Sequence, residues 1–260
     1  MIDVHCHLEQ PDYEKDRDEV IEKCKKELKA VITSCAHPND LSLTLQLVER
    51  YKGFVFCTVG IHPEYVKEIS EREKDEFLER VKANKDKIVG IGEVGLDFFW
   101  IREEEWRARQ KELFVELINF AKELKKPLVI HARKASDECV NILEKADAKK
   151  VLMHMFGANH LVKRIVENGW YVSMNAIVLR SKKHKKVVRD MPLEKIMLET
   201  DSPWLAPKKL LEGVEARNDP TSIRIVAEKI AEIKKLSFQE VWEKCGANAI
   251  RFFNLQVNCI

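Results

Sequence analysis

Apolar residues, many of them β-branched, gather in eight short runs along the chain. They are "IDVH" (2–5), "AVITSC" (30–35), "FVFCTVG" (54–60), "KIVGIGE" (87–93), "PLVIH" (127–131), "KVLMH" (150–154), "WYVSM" (170–174) and "KIMLET" (195–200). Between them lie longer stretches in which apolar residues recur every three or four positions among dense charge, as in "REEEWRARQKELFVELINFAKELKK" (102–126). That spacing predicts amphipathic helices, and the short runs predict strands. Strands alternating with helices imply βαβ units and a parallel sheet. Eight such units in 260 residues predict a single-domain TIM (β/α)8 barrel over 1–260. An open doubly wound sheet is the competing architecture. Its first strand would lead into a glycine-rich turn, and "HCHLEQPD" (5–12) is no such turn.

The ends of the runs carry the chemistry. The first holds Asp3, His5 and His7 at every second position, so a regular strand would point all three the same way. The third runs into His62, and the fourth ends in "GEVGLD" with Glu93 and Asp97. The fifth ends in His131 and Arg133, the sixth in His154, and the eighth in "ETDSPW" with Glu199 and Asp201. In a (β/α)8 barrel the carboxyl ends of all strands meet at one face. These residues therefore converge on one bowl, and four histidines with two carboxylates point to metal.

Composition narrows the setting. The chain is 45% hydrophobic, enough for a sizeable core, and 34% charged, with Lys, Arg and Glu dominant. That balance predicts surface ion-pair networks of the thermophilic kind. A net charge of +2 implies no broad basic surface of the sort that wraps duplex DNA. The seven cysteines are scattered and form no CxxC, so they read as buried, reduced thiols rather than a zinc–thiolate site. No basic leader or membrane-length apolar run opens the chain, and a soluble, cytoplasmic protein without membrane contact or obligate protein partner is expected.

The motifs "DVHCHLE" (3–9), "GIHPE" (60–64), "GEVGLDF" (92–98), "HARKA" (131–135), "ETDSPWL" (199–205), "RNDP" (217–220) and "NAIRFF" (248–253) follow one another in an order that resembles the TatD family of metal-dependent hydrolases, within the amidohydrolase superfamily. The resemblance spans essentially the whole chain. It implies a divalent-metal hydrolase cleaving phosphodiester bonds, a deoxyribonuclease acting at DNA 3′ ends. An amide or ester hydrolase of a small metabolite is the alternative on the same scaffold. Departures fall in the loops that meet substrate: "HMFGANH" (154–160) replaces the family's His-Cys-Phe-Ser-Gly, and "SMNAI" (173–177) replaces a Ser-Gly-rich turn.

The resemblance implies two divalent ions, zinc, manganese or magnesium. His5, His7 and Asp201 would hold one, His131 and His154 the other, with Glu93 bridging. Asp201 would also take the proton of the attacking water, and Glu199 would bind directly or hydrogen-bond to a ligand. Arg133, His62 and Asn218 are the candidates for substrate, with His62 able to protonate a leaving oxygen and Asn218 to orient the loop after the last strand. Asp97 is expected to play a supporting role. His37, His160 and His184 are expected to be structural or solvated, and "KKHKK" (182–186) to be a solvated helix face. Trp100, Trp106 and Trp204 are candidates for base stacking, with Trp106 at helical spacing suited equally to packing.

Overall fold

The computed structural model describes residues 1–207 and 217–257. Eight parallel strands form one sheet in chain order: β1 (Ile2–Cys6), β2 (Ala30–Cys35), β3 (Val55–Val59), β4 (Gly90–Asp97), β5 (Leu128–Arg133), β6 (Val151–Met153), β7 (Tyr171–Met174) and β8 (Ile196–Leu198). Backbone bonds from His7 N to Ser202 O (2.7 Å) and from Asp201 N to His5 O (2.9 Å) bring the segment after β8 against β1. The sheet thus curls into a nearly closed TIM barrel. Helices α1 (Arg17–Lys25), α2 (Leu41–Arg50), α3 (Glu71–Ala83), α4 (Glu104–Glu123), α5 (Ser136–Lys145), α6 (Val162–Glu167) and α7 (Lys182–Asp190) connect successive strands. After β8 come α8 (Ile223–Lys234) and α9 (Phe238–Phe253).

Each helix buries the stripe its spacing predicted. In α4, Gln110, Leu113, Phe114, Leu117, Ile118 and Ala121 face inward at three- and four-residue intervals. Inward residues from several strands (Ile2, Val4, Ile32, Val129, Leu152 and Met197) meet Phe252 and Phe253 at the end of α9. The barrel is therefore filled from its amino-terminal end, leaving the carboxyl end for chemistry. The expected ion-pair network appears on the surface: Lys74 reaches Glu71, Asp75 and Glu116. Cys6, Cys24, Cys35, Cys57, Cys139 and Cys245 are buried free thiols, and Cys259 lies outside the described residues. No helix among the described residues is long and apolar enough to cross a membrane.

Two irregularities revise the strand alternation. The β1–β2 register shifts between Asp3 and Cys6, a bulge that breaks the period of two. Asp3 consequently does not join His5 and His7. Its Oδ1 accepts from His5 N and Thr200 N at 3.1 Å, and its Oδ2 accepts from Thr200 Oγ1 at 2.5 Å, tying β1 to the segment after β8. The β4–β5 register shifts between Ile91 and Val94. β4 therefore runs on to Asp97, and Glu93, expected at the strand's end, sits in its middle. Gly95, at φ +142°, admits the close approach of β5 there: a Cβ would collide with the His131 carbonyl oxygen.

Candidate active site

His5 and His7 are buried at the end of β1, with their Nε2 atoms 3.2 Å apart. Glu93 Oε2 lies 3.3 Å from His5 Nε2. Asp201 Oδ1 lies 3.6 Å from His5 Nε2 and 3.4 Å from His7 Nε2. The other oxygen of Glu93 faces His131 Nδ1 at 2.7 Å, His154 Nε2 at 3.5 Å and His62 Nε2 at 3.7 Å. One carboxylate from β4 is thus ringed by imidazoles from β1, β5, β6 and the segment after β3. Three groups have donor atoms close enough to share a cation: His5–His7–Glu93, His5–His154–Asp201 and His62–Glu93–His131. His5, His7 and Asp201, expected together, lie within 3.6 Å of one another, while His62 joins Glu93 and His131 in one of the three groups and His154 joins His5 and Asp201 in another.

A second layer fixes these rings. Glu9 Oε1 is 3.2 Å from His7 Nδ1, and its other oxygen accepts from Thr33 Oγ1. Asp97 Oδ2 lies 2.9 Å from His131 Nε2, while its Oδ1 accepts from Phe99 N and Trp100 N. Glu199 Oε2 lies 3.0 Å from His154 Nδ1, and Ser173 and Asn175 of the β7 segment donate to the same carboxylate. Glu199 hydrogen-bonds to His154, one of the two roles open to it. Such partners set the tautomer and angle of a ligating imidazole. Glu9, Ser173 and Asn175 were not singled out from the sequence. Their signal was there: Glu9 follows His7 by two positions, and Ser173 and Asn175 are polar alternates in an apolar strand.

The electrostatics follow from packing carboxylates and imidazoles together out of water. Burial pushes the Glu93 carboxyl up, but His154, His62, His5 and the bonded His131 outweigh it and hold it well below the usual range. Burial likewise raises Asp201, while His7, bonded to it, and the charges of His154 and His5 bring it below the ordinary value. His131 is lifted to about 9, burial being overcome by the Asp97 and Glu93 carboxylates. His154 is lifted to about 10, burial being overcome chiefly by Glu199 and then Glu93. His7 is raised too, with Asp201 and Glu9 outweighing burial. His62 is pushed down to about 3 by burial and by His131, so its ring is neutral. Its Nδ1 accepts from Glu64 N (3.2 Å), which puts the ring proton on Nε2, facing Glu93.

The cluster floors an open cavity of about 1480 Å³. Arg133 lies on its wall, with the guanidinium 4.0 Å from the Phe99 ring and 5.3 Å from Trp100. Trp100 and Trp204 are 58% and 45% exposed at the mouth, whereas Trp106 packs on the core. The expectation that Asn218 touches substrate is corrected. It is fully buried, and its amide donates to Thr200 O (3.2 Å) and Trp204 O (2.8 Å), so it serves the loop alone. His37 caps a turn by accepting from Asn39 N, and His160 pairs with Asp137 at 3.0 Å. His184 is buried against Ser181 and Gly157. The lysines of "KKHKK" are exposed or half-exposed as expected, but Lys183 and Lys186 turn to the cavity.

A family model described as "TatD related DNase" matches residues 2–254. A human protein named deoxyribonuclease TATDN3 is 36% identical over 263 residues, covering 97% of this chain and 94% of the relative. A metal-dependent hydrolase of Methanocaldococcus jannaschii is 34% identical over 97% of this chain and 96% of its own. Among solved structures, the TatD homologue YjjV of Escherichia coli superposes with a TM-score of 0.88 over 98% of both chains at 23% identity. Together with the barrel and its histidine–carboxylate floor, these matches place the chain in the TatD family of metal-dependent hydrolases.

Proposed function

We propose that this protein is a deoxyribonuclease that hydrolyses phosphodiester bonds at DNA 3′ ends with two divalent ions. The observation that carries the reading is the surrounding of Glu93 by His5, His62, His131 and His154, with Asp201 and His7 completing the floor. The donor set fits such ions. It offers nitrogen and carboxylate oxygen without thiolate, which suits zinc, manganese or magnesium. His5 Nδ1 is buried without a partner while its Nε2 faces the other donors. His5, His7, Glu93, His131, His154 and Asp201 would hold the ions between them. Bound ions of this kind lower the pKa of water and stabilise attacking and leaving oxygens.

The chain's own groups supply the rest. Asp201, kept ionised by His7 and held at φ +57°, accepts the proton of the attacking water at its carboxylate. Neutral His62 offers a hydrogen bond from Nε2 but is not the acid that protonates the leaving oxygen. Arg133, free of any carboxylate partner among the described residues and braced on Phe99, offers its fork to a phosphate oxygen. A fixed cation and a cavity larger than the ~1,000 Å³ upper range of small-molecule pockets favour a phosphodiester polymer over a small amide. The test is a screen of purified protein with zinc, manganese and magnesium against 3′-labelled oligonucleotides, a phosphodiester dye and simple amides and esters. Metal-stimulated loss of the 3′ label is expected. Turnover of amides or esters alone would overturn the reading.

A further inference from the structure

The cavity mouth is uneven. The loops after β4, β5 and β7 bring Trp100, Arg133, Lys134, Lys183 and Lys186 to one arc of the rim, since the strands lie in chain order around the barrel. What sets these cations apart is that they line the mouth. Some lysines and arginines elsewhere pair with carboxylates, as Lys67 does with Glu103, Lys82 with Glu123 and Arg164 with Glu144. Among the described residues, no carboxylate stands within ion-pair distance of Arg133, Lys134, Lys183 or Lys186. The acids beside them are already engaged: Asp137 by His160 at 3.0 Å and Glu138 by Lys111 at 2.9 Å. Lys183 and Lys186, three positions apart on α7, share a helix face. Beside the β7 end of this arc, after β8, stands Trp204. Trp100 and Trp204 are two of three large apolar side chains more than a third exposed among the described residues, and both line this mouth. Exposed indoles offer a face to any base, and unpaired cations at fixed spacing offer counter-charge to successive phosphates.

We infer that the β4–β7 arc is a strand track, with Lys183 and Lys186 of α7 holding backbone phosphates other than the scissile one and Trp100 supporting a base. The inference rests on the phosphodiesterase reading above and adds that this protein measures strand length. A dinucleotide's one internucleotide phosphate is the scissile one and leaves none for α7, whereas a 12-mer has others to offer.

The experiment compares kcat/KM for a single-stranded DNA 12-mer and a dinucleotide in three proteins: wild type, Lys183→Gln/Lys186→Gln, and Lys182→Gln/Lys185→Gln. The last removes the same charge from the same helix at positions that do not line the mouth. The wild type should prefer the 12-mer, and the mouth-facing double variant should lose that preference by about tenfold. The slope of log(kcat/KM) against log[KCl] for the 12-mer should fall by about 1.4, two contacts at ~0.7 each on a single strand. The control pair should keep both. Equal losses in the two variants, or an unchanged ratio and slope in the mouth-facing one, overturn the track. Anisotropy of a labelled 12-mer in EDTA separates the two readings. If no metal gives cleavage, binding with the same loss of salt slope still supports the track, and absence of binding removes it.

Discussion

Glu199 reaches the site only through His154, which makes Glu199→Gln an informative perturbation. Burial alone would push His154 below its ordinary value, yet the ring stands at about 10 because Glu199, 3.0 Å from Nδ1, and then Glu93 outweigh burial. His131 stands at about 9. Without metal at pH 7.5, both rings therefore hold an extra proton. A ligating imidazole must be neutral, so filling the proposed sites expels at least two protons. Glutamine keeps the shape of residue 199 but removes the largest influence lifting His154. That ring then enters the site already neutral, and the count falls by about one. Isothermal titration of metal into metal-free protein, in two buffers of different ionisation enthalpy, gives the count directly, with circular dichroism to confirm the fold. A wild-type count near zero, or an equal count in Glu199→Gln, would refute the assignment of His154 as a ligand governed by Glu199.

Asp201→Asn should fold normally and, at saturating metal, lose about 10²–10⁴ in kcat, the range for a positioned general base. Near wild-type turnover would pass the proton to another group. Arg133→Ala should retain its metal by elemental analysis and raise KM for a phosphodiester about tenfold, whereas Glu93→Ala should lose metal from both sites; equal metal loss would mean that Arg133 is misassigned. Thermal melts of metal-free protein should show a maximum near the ordinary histidine value of 6.5. Above it, stability drawn from the raised His131 and His154 is present below pH 6.5 and disappears as pH rises through about 9 to 10. Below it, His62 and His184, lowered to about 3 and about 4 by burial and nearby positive charge, take up protons more readily in the unfolded chain, so stability falls as pH drops from 6.5. Metal-loaded protein should lack the alkaline decline, and a melt curve flat from pH 6.5 to 10 without metal would contradict the raised values.

The sequence by itself determined the barrel and its chemical floor, because both are written in local periodicity. β-branched runs between amphipathic stretches can bury their apolar surface only as strands covered by helices. The strand order then carries His5, His131 and His154 to one end. What needed the tertiary structure was every feature that depends on register between strands. Asp3 reads as a partner of His5 and His7 under strict alternation, yet the bulge after it turns its carboxylate to Thr200. Glu93 reads as a strand end, yet a second register shift sets it mid-strand among four imidazoles. Asn218 reads as a substrate ligand from its motif, but packing buries it to hold the Trp204 loop. Lys183 and Lys186 are indistinguishable in sequence from Lys182 and Lys185. Only the rotation of α7 against the barrel, set by burial of His184, Val187 and Val188, decides which lysines face the mouth. A bulge costs one unpaired residue and a helix rotation a few side-chain contacts, and both are settled by non-local packing that a linear pattern does not encode.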